Sequence, residues 1–381
     1  MKEIYLDHAA TTPVHPQVIE SMVPVFQDVF GNPSSVHQFG RKARRILDDA
    51  RRTVARSIGA NEKEIIFTSS GTEADNLALI GTARANKEKG KHVITTSIEH
   101  HATLHAAQQL EQEGFQVTYL DPDESGLISI KELEDKLADD TIVVSVMAVN
   151  NETGMIQPIE EIGGLLENHQ AYFHTDAVQA YGTLEVEVER LKVDMLTVSG
   201  HKINGPKGIG FLYAREGTLM QTLHFGGEQE RKRRPGTENL PAVKGLQTAV
   251  ELMVEERESR VETYKQYKAL FLDTLLEEEV AFSINGDPDR MVATIVNVSF
   301  PGMNVETLLT NFDLAGIAAS SGSACTAGSV EPSHVLSAMY GASDERTVNS
   351  IRFSFGMANS KENVIEAARK ISQVIRRLQK I

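Results

Sequence analysis

The chain reads as an α/β protein in two lobes, a larger one built on a mostly parallel sheet and a smaller one that follows it. Three observations predict this architecture. Short apolar runs alternate with helical patterns over the first 215 residues, one long helical stretch comes next, and a shorter set of strands and helices closes the chain.

The apolar runs, rich in Val, Ile, Phe and Thr, fall at 64–67, 92–95, 117–120, 141–149, 171–175, 194–198 and 208–213, about seven strands in all. Parallel neighbours need a crossover, and the helical patterns between the runs supply it. From 239 to about 279 apolar residues recur at three- and four-residue steps, at Leu246, Val250, Met253 and Val254, which predicts a long connecting helix. Past the turn-rich segment 283–288, strands at 294–300 and 351–355 alternate with helices at 305–312, 332–340 and 361–378, which predicts the second α/β lobe. No repeat or low-complexity segment interrupts the 381 residues, so nearly the whole length is expected to fold.

Composition narrows the function. A hydrophobic content of 41% is ordinary for a globular enzyme, and a formal charge of −15 opposes extended contact with a phosphate backbone, so nucleic-acid binding is not expected. The basic run in 230–234 (Glu-Arg-Lys-Arg-Arg) reads as a solvated loop rather than a binding patch. The N-terminus lacks a basic region followed by an apolar core, and no stretch approaches the ~18 apolar residues of a membrane span. A cytosolic, membrane-free protein is expected. A single cysteine, Cys325, excludes an internal disulfide framework and points to a reducing compartment.

Chemistry gathers at the ends of the predicted strands. Ser199-Gly200-His201-Lys202 follows the strand 194–198, so Lys202 sits at a strand tip, where an apolar surround helps a lysine lose its proton and bond an aldehyde. The other reading is a solvated loop lysine. Asp176, in His174-Thr175-Asp176-Ala177, closes the strand before it and falls on the same edge of a parallel sheet, where α/β ligands bind. A carboxylate there keeps the ring nitrogen of pyridoxal phosphate (PLP) protonated, with Gln179 able to donate to the ring's phenolic oxygen. A helix N-cap is the alternative for Asp176. Thr68-Ser69-Ser70-Gly71-Thr72-Glu73 is a strand end, a turn and a helix start, which fits both a phosphate cradle and a capping box.

His100, His101 and His105 open another helix. His101 and His105 lie one turn apart and allow a shared metal ion, but no third ligand follows, so His100 stacking on a flat cofactor and moving protons is preferred and no metal is expected. The last element is Ser321-Gly322-Ser323-Ala324-Cys325-Thr326-Ala327-Gly328. Small residues on both sides of Cys325 pack no core, so a thiol carried on an arm fits better than a buried structural one.

Together these motifs resemble the cysteine desulfurases, in particular the group I, iron-sulfur-cluster-assembly type. The resemblance runs from Tyr5-Leu6-Asp7-His8-Ala9-Ala10-Thr11-Thr12 through Gly31-Asn32-Pro33-Ser34-Ser35-Val36-His37 and Ser199-Gly200-His201-Lys202 to Ser321-Gly322-Ser323-Ala324-Cys325-Thr326. It implies a type I PLP-dependent aminotransferase-like fold, with a large domain at 15–260 and a small one made of 1–14 and 261–381. It implies a homodimer and PLP held covalently on Lys202. Thr72, Asn151, Asp176, Gln179, Ser199 and His201 would surround the cofactor, and Thr237 would reach the phosphate in the partner subunit. Arg352 would grip the substrate carboxylate through a bidentate fork, with Asn32 and His37 among the substrate contacts.

The implied reaction converts L-cysteine to L-alanine. Lys202 removes the Cα proton, Cys325 takes the sulfur as a persulfide, and His100 or Lys202 returns a proton. Cluster-assembly members carry a further C-terminal segment where this chain ends at Ile381, so the acceptor is expected to be either a cluster scaffold or a tRNA-thiolating enzyme. Ala327 stands where relatives often have serine, with no catalytic consequence expected. A transaminase or selenocysteine lyase on this fold, and an idle sulfur-relay protein, are the rivals. A mobile thiol disfavours the transaminase, and the intact Lys202, Asp176 and His100 set disfavours the idle relay.

Overall fold

The computed structural model describes residues 3–322 and 332–379. Seven strands form the main sheet: β2 (Ile65–Thr68), β3 (His92–Thr96), β4 (Gln116–Leu120), β5 (Thr141–Ser145), β6 (Tyr172–Asp176), β7 (Met195–Ser199) and β8 (Gly210–Ala214). Their order is β2-β8-β7-β6-β5-β3-β4, and β8 alone runs against its neighbours. The seven runs expected before residue 215 are these strands.

Both faces of the sheet are covered, which is why its strands read as apolar runs rather than as alternating patterns. Along β8, Phe211 and Tyr213 enter one core and Leu212 enters another. Along β7, Leu196 and Val198 share the first core and Met195 lies in the second. Each such side chain contributes ~1.5–3 kcal/mol on burial.

A third core lies beyond the sheet, where β1 (Ile4–Tyr5) pairs parallel with β11 (Ile317–Ala318), and β9 (Ser283–Ile284), β10 (Ile295–Ser299) and β12 (Ser350–Ser354) form an antiparallel sheet in the order β12-β10-β9. Ile4 and Leu6 from the start of the chain pack there with Phe271, Phe300, Phe353 and Phe355. The connecting helix Leu240–Glu277 serves both regions. Asn239 caps it by accepting from the Ala242 amide at 3.3 Å, Leu246 and Val250 enter the main core, and Phe271 and Leu275 enter the smaller one.

The run in 230–234 is solvated at Arg231 and Lys232 but departs from that reading at Glu230 and Arg234. Glu230 is buried and takes a two-pronged ion pair from Arg51, with Nη1–Oε2 at 2.7 Å and Nη2–Oε1 at 2.6 Å, while Arg234 pairs with Glu73 at 2.7 Å. Charged side chains here are used as internal ties, an outcome set by distant partners rather than by local composition.

Candidate active site

The parallel strands β5, β6 and β7 end on one edge of the sheet, and the chemistry-bearing residues stand there. Asp176 ends β6, is 5% exposed, and accepts the Val178 amide on Oδ1 at 2.8 Å. β7 ends at Ser199 and runs into a 3-10 turn, Gly200–Lys202, stapled by the Gly200 amide donating to the Ile209 carbonyl at 3.0 Å. That turn presents Lys202, whose Nζ donates to the carbonyls of Ala9 and Ala10, the latter at 3.0 Å. The N-terminal segment is thus pinned against the turn. The carbonyl of His201 also accepts from Thr12, and Gln179 donates to Ala9 O at 2.9 Å.

After β2, Ser70 caps the helix starting at Gly71 by accepting from the Glu73 amide. Gly71 packs closely against its neighbours: a Cβ there would stand 3.1 Å from Val178 Cγ2 and 3.5 Å from Ser199 Cβ. Gly71, Thr72, Asp176, Ser199 and Lys202 line one cavity of about 210 Å³. The same cavity is bounded by His100, Asn151, Gln179, His201 and Arg352.

The electrostatics follow from burial. Asp176 is pushed up to about 6 by loss of water, against the Val178 amide and Lys202, which pull it down. Asp75 is raised by burial and by the charge of Asp176, and Glu99 is raised to about 8, mainly by burial. His100 and His201 are each lowered to about 4, by burial first and then by Lys202, so both imidazoles are neutral at neutral pH. His100 accepts the Ala102 amide on Nδ1, capping the helix His101–Gln112.

Arg352, 2% exposed, is held by Asp7, whose Oδ1 accepts from Nη2 at 2.9 Å, and by the Asn151 carbonyl, which accepts from Nη1 at 2.9 Å. Its Nε is buried and has no hydrogen-bond partner among the described residues, and the same holds for Asn151 Oδ1. Buried orphans on the wall of a cavity mark where a ligand would complete the set. A PLP-sized group fits this donor set. Asp176 suits a ring nitrogen, Lys202 an aldehyde, neutral His100 a ring face, and the backbone and hydroxyls at Gly71 and Thr72 a phosphate.

Other expected residues lie elsewhere. Asn32 and His37 are on an exposed segment, where Asn32 accepts the Ser34 amide and His37 caps the helix Gln38–Ser57. Thr237 lines a separate cavity of about 200 Å³ with Glu230 and Arg234. Cys325 lies outside the described residues. His101 and His105 stack at 5.4 Å with His334 4.9 Å from His101, and among the described residues no group of three or more His, Cys, Asp or Glu is placed to hold a metal. Asp7, Asp75 and Glu99 were not singled out by sequence reasoning. Asp7 meets Arg352, Asp75 feels Asp176 and Glu99 accepts the Met147 amide, partners from distant segments that no local pattern marks.

The model of the family "Aminotransferase class-V" matches residues 4–366. The chain is 56% identical over 378 residues to "Putative cysteine desulfurase IscS 1" of Bacillus subtilis (strain 168), covering 99% of this chain and 100% of that one. It is 46% identical over 377 residues to "Cysteine desulfurase IscS" of Methanosarcina thermophila, covering 99% and 93%. Among solved structures it is similar to a "NIFS-LIKE PROTEIN", with a TM-score of 0.92 and 34% identity over 98% of this chain and 99% of the other.

Proposed function

The chain belongs to the class-V aminotransferase family and is a cysteine desulfurase, and we propose that it works with PLP on Lys202 and with Cys325 as the first sulfur acceptor. The observation that carries this reading is that Lys202, Asp176, His100 and Arg352 line a single cavity. The large domain is taken as 15–260, and 1–14 with 261–381 as the small one.

When bound, PLP supplies an electron sink for the pair left behind as the substrate's Cα–H bond breaks. Asp176, buried at a strand tip, would hold a proton at the ring nitrogen. Ser199, His201, Gly71 and Thr72 would hold the phosphate end, with Thr237 reaching the partner subunit's cofactor. Asn151, Gln179 and neutral His100 would hold the ring. Arg352 receives the carboxylate of L-cysteine on the N–H groups that Asp7 and Asn151 leave open.

Lys202 then removes the Cα proton. The Cys325 thiolate attacks the substrate sulfur, the substrate Cβ–S bond breaks, and the sulfur remains on Cys325 as a persulfide. Lys202 or His100 returns protons to the carbon skeleton, which leaves as L-alanine. The atoms balance without an outside oxidant: the substrate carbon is reduced as its sulfur passes to the persulfide level.

The proposed assembly is a homodimer. Phe26, Phe30, Val36 and Phe39 are all more than half exposed around Asn32 and His37, an apolar face that a second copy would cover and that would bring those two residues to the partner's substrate. The persulfide is then passed to an acceptor protein, a cluster scaffold or a tRNA-thiolating enzyme. No described helix is long and apolar enough to cross a membrane, and the proposed location is the cytosol.

Substituting Cys325→Ser tests the reading. The variant is expected to keep PLP and to release no sulfide from L-cysteine, assayed with a reductant present. Unaltered turnover would remove the persulfide role.

A further inference from the structure

We infer that Glu152 is a positioning residue for sulfur transfer, one carboxylate that fixes both flanks of the segment carrying Cys325. The inference rests on the desulfurase reading and adds a part to it. Glu152 is wholly buried in the turn after β5, next to Asn151 on the cavity wall. Its backbone is held from two sides, since its amide donates to Asn150 Oδ1 at 2.9 Å and its carbonyl accepts from Asn297 Nδ2 at 3.2 Å.

The side chain reaches the two flanks. On the far flank, the Ser333 hydroxyl donates to Glu152 Oε2 while its oxygen caps the next helix by accepting the Leu336 amide at 3.1 Å. His334 sits beside it, with Nδ1 3.8 Å from Glu152 Oε1 and Nε2 3.0 Å from the Glu99 carbonyl oxygen. On the near flank, Gly322 has φ +116, and a Cβ on it would fall 2.7 Å from Glu152 Oε2 and 3.0 Å from Cδ. Glycine therefore suits both the dihedral and the narrow space left beside the same carboxylate.

A carboxylate removed from water is costly, and an apolar residue of similar size would fill the space at least as well. What an apolar residue would not do is accept the Ser333 hydroxyl while packing beside Gly322. Cys325 follows Gly322 by three residues in sequence, a tether of at most ~11 Å, so the place of Gly322 bounds which groups the thiol reaches. Glu152 links that placement to the loop that also carries Asn151.

The test uses the PLP-loaded full chain with Glu152→Ala, Glu152→Gln and Ser333→Ala. Two quantities are read: the absorbance change on adding L-cysteine, and the single-turnover appearance of persulfide on Cys325 by mass spectrometry, unambiguous because the chain has one cysteine. In Glu152→Ala the absorbance change is expected to stay within about twofold of wild type while persulfide formation slows about 10- to 100-fold, the scale of a small misplacement of reacting groups. Glu152→Gln keeps an acceptor for the Ser333 hydroxyl and is expected to recover most of the rate, with Ser333→Ala in between.

A wild-type persulfide rate in Glu152→Ala overturns the inference. So does a parallel fall of both readouts, which general loosening of the cavity would give. If Glu152→Ala does not fold, Ser333→Ala decides by the same split. Absence of persulfide on Cys325 in the wild type sinks the desulfurase reading instead, whatever the variants do.

Discussion

The floor and the wall of the cavity handle charge in opposite ways. The floor, at the tips of the large sheet, holds carboxyl groups whose acidity burial weakens, Asp176 at about 6 and Asp75 raised as well, and the wholly buried Glu99, at about 8, lies near enough to feel the charge of Asp176. Beside Asp75 stands His174, 3.6 Å away and lowered to about 3 by burial, so it contributes no charge at neutral pH. The wall, from the smaller sheet, holds Arg352 in a ready-made ion pair with Asp7. A floor of buried carboxyl groups suits a protonated ring brought in from outside. A wall whose cation is already oriented suits a small carboxylate that must arrive, react and leave.

The largest expected effect is on the floor. Lys202→Ala is expected to lower turnover of L-cysteine by ~10³-fold or more, because in the proposed mechanism one side chain serves both as covalent anchor and as base. The measurement is alanine formed per subunit at saturating cysteine. Retention of normal turnover would remove Lys202 from the mechanism and leave the floor without a reactive group.

The wall should fail differently. Arg352→Ala is expected to raise the KM for L-cysteine by ~30-fold or more, the scale for losing one member of a buried charged pair. Because Asp7 would be left without its partner in a poorly hydrated place, stability should fall by ~3–5 kcal/mol. Asp7→Asn added to Arg352→Ala is expected to restore part of the stability and none of the KM. If the single variant lowered kcat and left KM alone, the wall would not be the carboxylate site.

What the sequence made legible divides along the same line. The floor was readable because parallel strands announce themselves as apolar runs and their last residues must share an edge, which brings Asp176 and Lys202 together. The wall was readable only as a resemblance. Arg352 meets Asp7 across 345 residues, and no periodicity connects them. Glu230 was misjudged for the same reason, since its burial depends on Arg51, far away in the chain. The neutrality of His100 and the raised carboxyls come from depth, which residue type does not encode. Asn32, His37 and Thr237 stand outside the cavity, so their expected contacts rest on the resemblance alone.

The smallest effect is the sharpest test of the floor. Glu99 is wholly buried, with Oε1 accepting from Thr96 Oγ1 at 2.8 Å and from the Met147 amide at 2.9 Å. Its folded value of about 8 lies above the ordinary 4.5. The folded chain therefore keeps the Glu99 proton up to about pH 8, while the unfolded chain releases it above about 4.5. For a raised group the associated stability is complete below the unfolded value and is lost as pH rises through the folded one, so the loss accumulates between about 4.5 and 8 and is flat beyond. Glutamine has the shape of the protonated acid and does not titrate. Glu99→Gln should then melt close to wild type near pH 4.5 and pull ahead by a few degrees by pH 8, followed as Tm against pH. An offset that stays constant across that range would mean that Glu99 is ionised in the folded protein. The floor would then carry a settled charge like the wall, and the contrast between them would disappear.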